Sequence, residues 1–110
     1  MEKAFTGKLR KIITSEWPTE EIATTIPTPN FGKIEKIEYT SKFINVFVQN
    51  AKAGNLSSYA RALKKMGYKE NGKKEDGSVY TERYFKNSEN MNVRIRFNKA
   101  NKRIEIYLSK

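Results

Sequence analysis

Asn90-Met91-Asn92-Val93-Arg94-Ile95-Arg96-Phe97-Asn98-Lys99, followed by Lys102-Arg103-Ile104-Glu105-Ile106-Tyr107-Leu108-Ser109-Lys110, is the stretch whose pattern decides the fold. Val93, Ile95 and Phe97 alternate with Asn92, Arg94 and Arg96. Ile104, Ile106 and Leu108 alternate with Arg103, Glu105 and Tyr107. A period of two sends the apolar set to one face of a strand and the polar set to the other. Asn98-Lys99-Ala100-Asn101 lies between the two runs and suits a hairpin loop, since Asn tolerates the left-handed backbone of a tight turn. The pattern predicts a β-hairpin with one oily face and one basic face.

Upstream, Val79–Lys86 alternates in the same way, with Val79, Thr81, Arg83 and Phe85 against Tyr80, Glu82, Tyr84 and Lys86. Residues 31–39 and 42–50 read as two further strands. Ile34 and Ile37 differ in parity, which calls for a bulge. In the second, Ile44, Val46 and Val48 oppose Phe43, Asn45 and Phe47. Apolar groups on both faces suit a central strand, or one covered by the N-terminal segment. Between the strand groups, Leu56, Tyr59, Ala60, Leu63 and Met66 recur at helical spacing. They predict a helix over 55–67, with Asn55 as its cap and Gly67 as its stop. Tyr68-Lys69 can open a short strand. Glu70–Ser78 reads as a mobile polar loop.

The N-terminal third predicts helix. Phe5, Leu9, Ile12 and Ile13 have helical spacing among Lys8, Arg10 and Lys11, giving a basic amphipathic arm over 1–15. Pro18 at a first turn, Glu20 and Glu21 behind it, and Pro27 and Pro29 beyond predict a two-turn helix near 18–25, with Trp17 anchoring it to the core. The expected architecture is therefore an α+β two-layer domain over 16–110. A mostly antiparallel sheet carries one main helix on one face, with short N-terminal helices added.

The chain has 110 residues, the size of one domain. Net charge is +10, and the last fifty residues contribute fourteen Lys and Arg against six Asp and Glu. That asymmetry points to an anionic partner, although Lys-rich surfaces also serve solubility. With neither Cys nor His, the chain has no thiolate metal site, no cysteine nucleophile and no imidazole base. The only adjacent acid pairs are Glu20/Glu21 and Glu75/Asp76, at an expected helix start and in a loop. No catalytic residue, cofactor, metal site or small-molecule substrate is evident. No run approaches the roughly 20 apolar residues of a membrane helix, and no signal-peptide core is seen, so a cytoplasmic location is expected.

The basic and aromatic residues are the remaining functional signal. Arg94, Arg96, Arg103, Tyr84, Tyr107 and Lys86 are expected on one sheet face, with Tyr80 joining them if registers match. Lys99 and Lys102 flank the turn. Such a face can hold single-stranded nucleic acid, with cations on phosphates and rings stacked on bases. Glu82 and Glu105 lie on the same surface, as they would on an ordinary solvated sheet. The reading is a non-enzymatic binding module engaging nucleic acid or a nucleoprotein. The alternative is a protein-interaction module, such as a small phage or host inhibitor meeting an acidic partner.

Trp17-Pro18, Ile26-Pro27-Thr28-Pro29, Gly32-Lys33-Ile34, and Tyr59 with Leu63-Lys64-Lys65-Met66-Gly67-Tyr68 form an ordered set. In that order they resemble the C-terminal domain of unknown function of small lipoproteins from Gram-positive bacteria. The resemblance spans about residues 16–109 and implies a helix end followed by a strand meander. It implies no catalytic residue, and it offers a cell-envelope role as a third reading. The chain differs from that family in lacking a lipobox Cys and in its basic charge.

Overall fold

The computed structural model describes residues 11–110. Eight strands form a single antiparallel sheet: β1 (Ile12–Thr14), β2 (Lys33–Tyr39), β3 (Phe43–Gln49), β4 (Lys69–Glu70), β5 (Glu75–Asp76), β6 (Tyr80–Lys86), β7 (Asn92–Asn98) and β8 (Arg103–Ser109). Their spatial order is β1-β2-β3-β8-β7-β6-β4, with β5 also paired to β6. One helix, α1 (Ala53–Lys65), crosses between β3 and β4. Strand accounts for 42% of the structure and helix for 18%, so this is a small β-rich fold and not the α+β domain with several helices that the sequence suggests.

The discrepancy lies at the N-terminus. Ile12–Thr14 is a strand on the edge of β2, with Ile12 opposite Tyr39 and Thr14 opposite Ile37. Three consecutive β-branched residues favour extended backbone, which outweighs the helical spacing. Phe5 and Leu9 of the expected arm lie outside the described residues. The expected helix near 18–25 is a five-residue 3₁₀ turn, Glu21–Thr25. Its Thr24 and Thr25 hydroxyls donate to the carbonyls of Glu21 and Ile22, three residues back. Side chains that compete for backbone acceptors, with Pro27 next, leave no room for a second α-turn.

The strand pattern ahead of the helix needs less correction. β3 is an interior strand between β2 and β8, and the β2–β3 register shifts between Ile34 and Lys36, where the parity break calls for a bulge. The helix runs two residues earlier than its apolar spacing suggests. Asn55 sits inside it and reaches back, its Oδ1 accepting from the Lys52 N–H at 2.8 Å. Gly67 does end the helix, at φ +98°. The Gly67 N–H donates to Lys64 O and the Tyr68 N–H to Leu63 O, a Schellman closure.

Ile37, Ile44, Val46, Val48, Val93, Ile95, Ile104, Ile106 and Leu108 form one sheet face, all fully buried or nearly so. Leu56, Tyr59, Ala60 and Leu63 of α1 cover part of it, and Ile22, Ala23 and Ile26 cover another part. Two phenols tie the 3₁₀ segment to the helix end: the Tyr59 hydroxyl donates to Pro27 O at 2.6 Å and that of Tyr68 to Thr25 O at 2.9 Å. Trp17 is half-buried against this core, as its anchoring role requires.

The 70–78 segment is not a bare loop. Glu75 and Asp76 pair with Glu82 and Thr81. Asp76 accepts from the Thr81 hydroxyl and from Lys99 Nζ, and Lys99 holds its carboxyl below the usual carboxylate range. In the β7–β8 turn the left-handed residue is Lys102, at φ +58°, rather than an Asn. Asn98 shapes the turn with its side chain, whose Oδ1 accepts from the Ala100 and Asn101 N–H groups. Among the described residues no helix is long and apolar enough to cross a membrane.

Candidate nucleic-acid interface

The sheet face opposite α1 is an ordered lattice of polar and aromatic side chains. Antiparallel registers place directly opposed residues on the same face. Across β3, β8, β7 and β6, one row therefore reads Asn45, Tyr107, Arg94, Tyr84. A second reads Phe47, Glu105, Arg96, Glu82. A third, at the end of the sheet, reads Phe43, Ser109, Asn92, Lys86, and continues to Lys69 on β4.

The second row is electrostatically closed. Arg96 Nε lies 3.2 Å from Glu82 Oε2 and 3.5 Å from Glu105 Oε1, and its guanidinium stacks 3.6 Å from the Tyr80 ring centroid. Its Nε is buried without a well-angled hydrogen bond, so the ion pairs and the ring do the holding. Arg103 reaches Glu35 at 2.9 Å and Glu105 at 3.7 Å. The Tyr84 hydroxyl donates to Glu82, and that of Tyr107 donates to Glu105. Burial and the Glu105 carboxylate push the Tyr107 phenol up to about 12.

The first and third rows are open. Arg94 rests over the Tyr107 ring at 4.5 Å and has no carboxylate partner among the described residues. Lys86 and Lys69 stand directly opposite each other, also without such a partner. Opposed like charges destabilise a sheet unless an anion sits between them. Arg94 lies in a pocket of about 410 Å³ whose lining includes Phe43, Asn45, Asn71, Tyr84, Asn92 and Tyr107, with no acidic residue.

Of the residues expected on this face, Arg94, Arg96, Arg103, Tyr84, Tyr107, Lys86 and Tyr80 are there. Lys99 and Lys102 are not part of it. Lys99 Nζ is taken by Asp76 Oδ1 at 2.9 Å and Gly77 O at 2.6 Å, and Lys102 sits exposed in the turn. Sequence reasoning also treats the three arginines as equivalent, whereas among the described residues only Arg94 lacks a carboxylate partner. It misses Asn71 and Asn92 as neighbours of Arg94, and Lys69 as the cation opposite Lys86, because those proximities are set by cross-strand register. The polar parity of Asn45 within β3 was the available signal.

The described residues contain no cluster of acids suited to a metal ion. No family model, curated protein or solved structure matches the chain.

Proposed function

We propose that this protein is a non-enzymatic binding module that holds single-stranded nucleic acid, free or within a nucleoprotein, on the Arg94 half of its open sheet face. One observation carries the reading. Arg94, beside the rings of Tyr84 and Tyr107, and the opposed pair Lys69 and Lys86 in the next row are cations without carboxylate partners among the described residues. Cations there neutralise phosphates, and the Arg94 plane and the tyrosine rings offer stacking surfaces. The opposite half of the face, with Arg96 and Arg103 already paired, serves as a rigid support.

The test is a fluorescence-anisotropy titration of ten-nucleotide single-stranded RNA and DNA across salt concentrations. Binding of about 10⁻⁴–10⁻⁶ M at physiological salt is expected. Lys86→Ala and Lys69→Ala should each flatten the salt dependence by nearly one unit. Arg103→Ala should alter it far less. Absence of binding at about 50 mM salt would sink the reading. Capture of a poly-glutamate peptide in place of oligonucleotides would assign the face to an acidic protein partner.

A further inference from the structure

The pocket around Arg94 contains more than an anion needs. A phosphate is best met by donors alone, from lysine, arginine and backbone N–H groups. Here three carboxamides share the pocket with Arg94: Asn45 from β3, Asn71 just past β4, and Asn92 from β7. Each brings an acceptor oxygen, which repels a phosphate, beside its donor nitrogen. Asn92 uses Nδ2 on Asn90 O at 3.3 Å, which leaves its Oδ1 open. A ligand suited to this lining has donors and acceptors side by side. It also has a flat apolar body for the walls made by Phe43, Tyr84 and Tyr107. The volume, about 410 Å³, falls in the lower part of the range for small-ligand pockets.

We propose that this pocket receives one purine base and reads its outer edge, giving the module a base preference at a single position of the bound strand. The inference rests on the nucleic-acid reading of the face. Asparagine pairs with the N6/N7 edge of adenine and arginine with the O6/N7 edge of guanine, so both reader types present here address the same side of a purine. Arg94, lying over Tyr107, also offers a stacking plane. Lys86 opens the next row along β6, within reach of the phosphate attached to a seated base. Nothing acidic in the lining opposes that phosphate.

The experiment compares a deoxythymidine ten-mer with the same strand carrying one central adenine or guanine, by competition anisotropy at fixed salt. The single purine should tighten binding about tenfold, the discrimination expected of one good side-chain pair to a base edge. Asn45→Ala and Asn92→Ala should erase the preference for adenine, while the salt slope, which the cations set, stays as it is. Lys86→Ala should weaken all three strands alike and keep the difference. Equal binding of the three strands by the wild type would overturn the base pocket and leave the sheet-face reading standing. A preference for adenine that survives both Asn variants would overturn it too. Failure of every strand to bind would remove both.

Discussion

Arg96 stands directly opposite Glu105 on the β7–β8 ladder and directly opposite Glu82 on the β6–β7 ladder, so one guanidinium is flanked by two carboxylates. All three side chains are largely shielded, at 18%, 9% and 15% exposure. Arg96 is therefore a structural cation, although its place in the alternation is the same as that of Arg94.

Removing it should cost stability. Arg96→Ala leaves the shielded Glu82 without a cation and Glu105 with Arg103 alone, and breaking such a pair in a fully buried setting costs about 3–5 kcal/mol. The remaining solvent contact of Glu82 puts the expected loss near the lower end. Arg94→Ala should change stability by less than about 1 kcal/mol, since only the Tyr107 ring loses a neighbour. Urea denaturation of the two variants checks the contrast; equal losses would show that the face is not divided.

Leu63 is fully buried where α1 meets the sheet. Leu63→Ala should cost about 2–5 kcal/mol. A shift of less than about 1 kcal/mol in chemical denaturation would show that the helix contributes little to the core.

Gly32 precedes β2 at φ +58°, and a Cβ there would press into the Gln49 carbonyl and sit 2.9 Å from Val48 Cγ1. Backbone and a β-branched core side chain cannot move aside cheaply. Gly32→Ala should therefore destabilise by more than the roughly 1 kcal/mol of left-handed strain alone. Thermal unfolding reads this directly, and an unchanged midpoint would contradict the close approach.

The Tyr107 phenol gives a pH prediction. Burial and the hydrogen bond to Glu105 raise it to about 12, above the usual 10. A raised folded value means the native state holds the proton more tightly. The resulting stabilisation is complete below about pH 10 and is lost as pH rises toward 12. Subtracting the phenolate absorbance titration of Tyr107→Phe from that of the parent protein should leave one ionisation step near pH 12. Ionisation near pH 10 would place the ring in solvent.

Much of the strand pattern was legible in the residues, because alternation in β3, β6, β7 and β8 is a local property of consecutive side chains. Gly67 was legible as a stop because only a residue without Cβ turns left-handed there at no strain. The N-terminal spacing misled because β-branched Ile12 and Ile13 gain more from pairing with β2 than from an isolated helical turn, a choice made by a partner over twenty residues away. The candidate site divides in the same way. Sequence alone determined that Arg94, Arg96 and Arg103 share a face. Tertiary structure alone decided that Glu82, Glu105 and Glu35 neutralise two of them, and that Asn45, Asn71 and Asn92 are brought close to the third. Register between distant strands sets those neighbours, and Coulomb interactions over a few ångströms then separate a structural cation from one that meets no carboxylate among the described residues.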